Sequence, residues 1–218
     1  MDSGVIFDMD GVIVLTEEAH WLSWKAVAEG LGTPISYEVF LSCFGRVNPD
    51  CIRIMFGEGV AHAESLRIAE EKERRFRAII GERVPLAPGL VELLDELARE
   101  RFLLAVGSSA PRENIDLVLD GGGIRRHFRG VVDGGQVARG KPAPDVFLRG
   151  AELLNLPPAR CVVVEDARTG IQAARGAGMI AVGVATTCAP SDLERAGAHA
   201  VFESVAAISA SALRGMLP

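Results

Sequence analysis

The chain has 218 residues, of which 49% are hydrophobic and 24% charged, too apolar a composition for a disordered polymer. Its 29 acidic and 23 basic side chains leave a net charge of −6, so it has no positive field to gather nucleic acid, and no nucleic-acid partner is expected. No apolar run approaches the roughly 20 residues that cross a bilayer, and no membrane partner is expected either.

At roughly 150 residues per domain, this length fits one core domain with a sizeable insertion. The opening MDSGVIFDMD has acids where a secretory signal has bases, and Cys43, Cys51, Cys161 and Cys188 contain no C-x-x-C pair. A cytoplasmic chain with reduced thiols and no zinc site is expected.

In chain order, Val5-Ile6-Phe7 is a short apolar run that stops at acids and reads as a strand buried on both faces. Strand signals then vanish over residues 15–82. There Thr16 is placed to cap a helix, with Glu17 and Glu18 in its first turn, a buried stripe of Trp24, Val27, Ala28 and Leu31, and an end at Gly30, Gly32 and Pro34. A later helix is predicted over about 63–80, and the segment 81–88, with two prolines, leads back to the sheet. Leu90, Leu93, Leu94 and Leu97 follow helical spacing, as do Ile115, Val118 and Leu119, which Gly121-Gly122-Gly123 then stop. Apolar runs at 103–106, 161–164, 180–184 and 200–202 are the further strands, each read as buried on both faces. Because strand and helix alternate after residue 85, the expectation is a parallel α/β sheet, a Rossmann-like core made of residues 1–14 and 83–218. Residues 15–82 are expected to form an inserted α-helical cap domain, joined by two crossings and able to rock over the sheet.

Ligands of a parallel sheet bind beyond the carboxyl ends of its strands, so the residues that follow each apolar run matter most. Asp8-Met9-Asp10-Gly11 follows the first, Gly107-Ser108-Ser109 the second, and Glu165-Asp166 a later one, while Lys141 lies in the loop Arg139-Gly140-Lys141-Pro142. Four carboxylates at one sheet edge repel one another unless a cation sits among them, and hard oxygen ligands at a small site suit Mg²⁺. A hydroxyl and an ammonium beside them supply what a phosphoryl group needs. Two carboxylates at i and i+2 divide the labour, one as nucleophile and one as proton shuttle. Gly135 to Lys141 matches the start of a phosphate loop, but Pro142 follows, with neither a hydroxyl nor an amide hydrogen to offer. A signalling receiver also joins an aspartate, an acid pair, a hydroxyl and a lysine, yet its acid pair comes first in the chain and here it comes last.

In that order, Asp8-Met9-Asp10-Gly11-Val12, Ser108, Lys141 and Glu165-Asp166, with helices inserted after the first motif, resemble the haloacid dehalogenase (HAD) superfamily of phosphotransferases. The resemblance spans essentially the whole chain. It implies that Asp8 is the nucleophile, Asp10 the acid/base, and Ser108, Ser109 and Lys141 the phosphate holders. It further implies Mg²⁺ held by the Asp8 carboxylate, the Asp10 backbone carbonyl and Asp166, with Glu165 nearby. His20 and Trp24 stand where the β-phosphoglucomutase-like group has a histidine and a tryptophan, and Lys72 matches that group's cap lysine.

The chain departs from the mutase pattern at Leu15, at Ala110-Pro111-Arg112, and at Arg46, which directly follows Gly45. A mutase seats a bisphosphate in two orientations and needs a well-built second anion site. The expected function is therefore an Mg²⁺-dependent phosphatase acting on a small phosphorylated metabolite, sugar phosphates first, with a β-phosphoglucomutase-type mutase as the alternative. Arg46, Lys72 and Arg112 are expected to select the organic part of the substrate. Lys72 carries a second expectation, that its stem packs while its head reaches water. His62, His127 and His199 read as surface or structural residues, and the chain is taken as a monomer.

Overall fold

The computed structural model describes residues 2–81 and 83–218. Six strands, β1 (Ser3–Phe7), β2 (Phe102–Gly107), β3 (Gly130–Val132), β4 (Cys161–Glu165), β5 (Ile180–Val184) and β6 (Ala200–Phe202), form one sheet. Their order is β3-β2-β1-β4-β5-β6, and every pairing is parallel. The first strand is thus central, and the connection from β3 to β4 crosses it, which makes the β1/β4 crevice the switch point where ligands of such sheets bind.

Between β1 and β2 the chain runs through α1 (Glu17–Gly30), α2 (Tyr37–Cys43), α3 (Asn48–Phe56) and α4 (His62–Ile80). These four helices bury a cluster of their own around Trp24, Phe40, Ile52 and Ile68. The end predicted for this insert at residue 82 lies outside the described residues.

The remaining helices are α5 (Leu90–Arg99), α6 (Arg112–Gly121), α7 (Asp145–Leu154), α8 (Arg168–Gly176), α9 (Pro190–Arg195) and α10 (Ala210–Gly215). Side chains alternate along the strands, so Val5, Phe7, Val162 and Val164 pack with the leucines of α5 on one face. Ile6, Ala105 and Val163 pack with Phe147 of α7 and Ile171 of α8 on the other. All four leucines of the α5 stripe are buried, each worth about 1.5–3 kcal/mol.

Several expectations give way to tertiary detail. Strand β3 is a three-residue pairing absent from the predicted elements, and β6 is a half-buried edge strand rather than one covered on both faces. Thr16 precedes α1 without a side-chain capping bond, because its hydroxyl is turned to Asp10. Leu31, expected in the buried stripe, is 43% exposed because it lies past the end of α1.

Candidate active site

Asp8 is the first residue beyond β1, where its amide still donates to the Val164 carbonyl at 3.0 Å, and this sheet bond places its side chain at the carboxyl edge beside β4. Glu165 ends β4 and Asp166 follows it. The three carboxylates each bring an oxygen to within 4.8 Å of the others, and all are buried. Lys141 reaches into this group from its loop and donates to Asp8 Oδ1 at 2.7 Å and to Glu165 Oε1 at 2.5 Å, with its ammonium 4.9 Å from the Phe147 ring centroid.

One ammonium does not balance three carboxylates. Burial, joined by repulsion from Glu165 and Asp10, outweighs Lys141 and pushes Asp8 up to about 7. The same causes, burial first and then the Glu165 and Asp8 charges, push Asp166 well above the usual carboxylate range. Burial works against the Lys141 ammonium, but the Asp8 and Glu165 charges win and hold it well above its ordinary value.

Glu165 is committed on both oxygens, since Oε2 accepts the Ala167 amide at 2.7 Å while Oε1 holds Lys141. Asp166 differs. Both of its oxygens are buried without a hydrogen-bond partner among the described residues, although the Thr187 hydroxyl stands near. Gly11, at φ +79°, lets the loop pass over that carboxylate, because a Cβ there would lie 1.9 Å from Asp166 Oδ2. An orphaned buried carboxylate, a second from Asp8 and excess negative charge form a set of hard oxygen donors that fits a divalent cation such as Mg²⁺.

Asp10 stands on the other side of the turn that folds Gly11 back onto the Val14 carbonyl at 2.8 Å. Its Oδ1 accepts from the Thr16 hydroxyl at 2.6 Å and bonds His20 Nε2 at 2.9 Å. Burial pushes this carboxyl up, but His20 and Thr16 outweigh it and hold Asp10 below the usual range. The far nitrogen of the ring, Nδ1, lies 2.8 Å from Lys72 Nζ. An ammonium has no lone pair, so Nδ1 accepts and the proton of a neutral His20 resides on Nε2, where it is donated to Asp10. Phe76 stacks on the ring at 4.1 Å between centroids and fixes its plane.

Lys72 is only 2% exposed, so its head does not reach water. It also donates to Glu73 Oε1 at 2.8 Å and lies 5.5 Å from the Trp24 ring centroid. Burial pushes Glu73 up, but Lys72, with bonds from Lys72 and Asn48, outweighs it and keeps the carboxyl below its ordinary value.

Ser108 follows β2, is buried, and accepts the Ala110 amide at 3.1 Å on Oγ. Ser109 donates to the Gly45 carbonyl of the insert at 3.0 Å. Asp8, Asp10, His20, Arg46, Lys72, Ser108 and Ser109 line one cavity of about 50 Å³ between sheet edge and insert, and Arg46 Nε is buried in its wall without a partner among the described residues. Lys141, Glu165 and Asp166 lie directly behind Asp8. Arg112 is not brought there: it is exposed on α6 and paired with Asp116 at 3.0 Å, the i+4 partner that its helix supplies. Glu73, Asn48 and Asn114 went unnoticed in the sequence, although Glu73 and Asn48 line the cavity and Asn114 donates to Glu73.

The sequence profile of haloacid dehalogenase-like hydrolases matches residues 3–178. The chain belongs to this family. It is 36% identical over 187 residues to β-phosphoglucomutase of Bacillus subtilis, covering 83% of this chain and 82% of that one. It is 34% identical over 182 residues to fructose-1-phosphate phosphatase YqaB of Escherichia coli, covering 84% and 96%. The crystal structure of β-phosphoglucomutase from Clostridium difficile superposes with a TM-score of 0.90 at 27% identity, covering 99% and 97%. The chain is accordingly an enzyme of the haloacid dehalogenase-like hydrolase family, with both a phosphatase and a phosphomutase among its relatives.

Proposed function

We propose that the protein is an Mg²⁺-dependent phosphatase that hydrolyses a small sugar phosphate through an aspartyl-phosphate on Asp8. The observation that carries this reading is the division between the two aspartates. Asp8 sits in the carboxylate cluster with Lys141, whereas Asp10 is held two residues away by Thr16 and His20, outside that cluster.

An Asp8 oxygen attacks phosphorus, the bond from phosphorus to the ester oxygen breaks, and that oxygen leaves with a proton from Asp10. Asp10 is ionised in the free site, and the negative charge of the arriving phosphate favours its protonated form. In the second half Asp10 takes a proton from water as the water oxygen attacks phosphorus, which releases phosphate and frees Asp8. Lys141 and the Ser108 hydroxyl hold the phosphoryl oxygens. Mg²⁺ would be held by Asp8 and Asp166, with the Asp10 carbonyl, and would offset the charge that builds on the phosphoryl oxygens.

The cavity lies between the sheet edge and the four-helix insert, so the insert acts as a cap that swings aside to admit substrate. A mutase is the second reading, favoured by the β-phosphoglucomutase relatives. Against it, the Arg112 guanidinium is spent on Asp116 and adds no charge to the cavity.

A panel of hexose and pentose monophosphates assayed with Mg²⁺ tests the proposal. Release of orthophosphate that Asp8→Asn abolishes is expected. Conversion of β-glucose 1-phosphate to glucose 6-phosphate, primed by glucose 1,6-bisphosphate and without phosphate release, would establish the mutase instead.

A further inference from the structure

The cap end of the cavity holds a carboxylate that the reaction above does not use. Glu73 is 4% exposed and lines the cavity next to Lys72. Its Oε1 accepts from Lys72 Nζ and from Asn48 Nδ2, both at 2.8 Å, and its Oε2 accepts from Asn114 Nδ2 at 2.5 Å. Asn48 and Lys72 belong to the cap, but Asn114 belongs to α6 of the core and is itself tied to Arg77 of the cap at 3.0 Å. The Glu73 carboxylate is therefore fixed from both domains when the cap is shut.

An ionised carboxylate offers about four lone-pair sites, and three donors of this chain fill three of them. One acceptor site remains on this carboxylate, which lines the cavity. The same cavity is lined by Trp24, Phe40 and Phe44, which supply apolar faces, and by Arg46, which supplies a cation. The positive charges at this end are Arg46 and Lys72, and Glu73 cancels one of them. A phosphate group brings about −1.5 to −2 charges, more than the single remaining positive charge can balance, and it would meet a buried carboxylate besides.

We propose that Glu73 determines the substrate class: its carboxylate accepts a hydroxyl group of an uncharged polyol or sugar at the cap end and turns away molecules that carry a second phosphate. This deepens the sugar-phosphate reading and rests on it. The aromatic walls receive the C–H faces of the sugar, Glu73 and Asn48 take its hydroxyls, and the only phosphate is the one placed against Asp8. The same residue explains how a lysine stays in the cap without forming a second anion site.

The test is binding rather than turnover, carried out with Mg²⁺ in the Asp8→Asn background. Calorimetry compares glucose 6-phosphate with glucose 1,6-bisphosphate, and orthophosphate calibrates the Asp8 end alone. The parent chain is expected to favour the monophosphate. Adding Glu73→Gln, which keeps the shape and removes the charge, is expected to tighten the bisphosphate by about tenfold or more relative to the monophosphate. Glu73→Asp keeps the charge and is expected to keep the parent preference, and it serves the comparison even if the glutamine variant does not fold. An unchanged ratio in a folded Glu73→Gln variant overturns the proposal. So does a shift of equal size in Glu73→Asp, which would assign the effect to packing, and so does a parent chain that binds neither sugar. Absence of phosphate release by the wild type would remove the phosphatase reading while leaving this preference measurable.

Discussion

Lys141 donates to Asp8 across 133 positions of sequence, and nothing else among the described residues donates a side-chain hydrogen bond to that carboxylate. The same ammonium is the partner of Glu165, so a single cation holds two buried carboxylates together.

Replacement of Lys141 by methionine removes that cation while keeping its volume. Two buried carboxylates are then unpaired, a change that destabilises a fold by about 3–5 kcal/mol. The metal-free variant is expected to melt well below the wild type, and kcat is expected to fall by about a thousandfold or more because the phosphoryl oxygens lose their ammonium. Urea midpoints and steady-state rates check both. Near-wild-type turnover by Lys141→Met would show that the ammonium does not touch the phosphoryl group.

His20 acts on Asp10 through the Nε2 proton, and a bond to the charged form of an acid lowers its pKa. In His20→Ala the Asp10 carboxyl is therefore expected to titrate at higher pH. Because Asp10 must be protonated in the substrate complex to release the ester oxygen, the alkaline limb of the kcat profile moves upward while the maximal rate falls by about ten- to a hundredfold. A lowered rate with an unmoved limb would limit His20 to holding Lys72.

The core of this site was legible because a parallel sheet exposes its chemistry at one edge, so polar residues directly after apolar runs announced Asp8, Ser108 and Glu165-Asp166. Glu73 was not. It sits in the run Glu70-Glu71-Lys72-Glu73-Arg74-Arg75, where Glu71 and Arg74 form a surface pair, and only the packing of α4 against His20 and Asn114 separates the buried members from the exposed ones. Arg112 erred the other way: a cation beside the Ser108 loop looked like a substrate contact, yet an aspartate one turn along its own helix claims it. Strand β3 is Gly-Val-Val, too short to set a period, and it exists because β2 offers it an edge.

Gly11 yields a prediction about the cation. A Cβ at this position meets Asp166 Oδ2 at 1.9 Å and sits on a residue whose φ is +79°. Gly11→Ala must therefore displace either the loop or the carboxylate. A loss of about 1–3 kcal/mol in stability is expected from the backbone, together with an about ten- to hundredfold weaker affinity for Mg²⁺, read as a correspondingly higher Mg²⁺ concentration needed for the same rise in melting temperature. Titration of Mg²⁺ against the melting temperature of both proteins is the measurement. Equal Mg²⁺ responses would place the cation away from Asp166.

Glu73 should also leave a mark on acid stability. Its pKa in the folded chain is below the ordinary glutamate value of 4.5, because Lys72 and its hydrogen bonds outweigh burial. The unfolded chain therefore binds the proton more readily, so the stability that Glu73 contributes is fully present above about pH 4.5 and is lost as pH falls through its folded value. Glu73→Gln is expected to be less stable by about 3 kcal/mol at neutral pH, where it leaves the Lys72 ammonium buried beside an amide. Below pH 4.5 the difference should shrink, since the wild type loses the same charge there. Urea midpoints measured from pH 3 to 7 test the convergence. Two curves that run parallel across that range would mean that Glu73 contributes by shape and hydrogen bonding alone, without the ionised carboxylate on which the neutralisation of Lys72 depends.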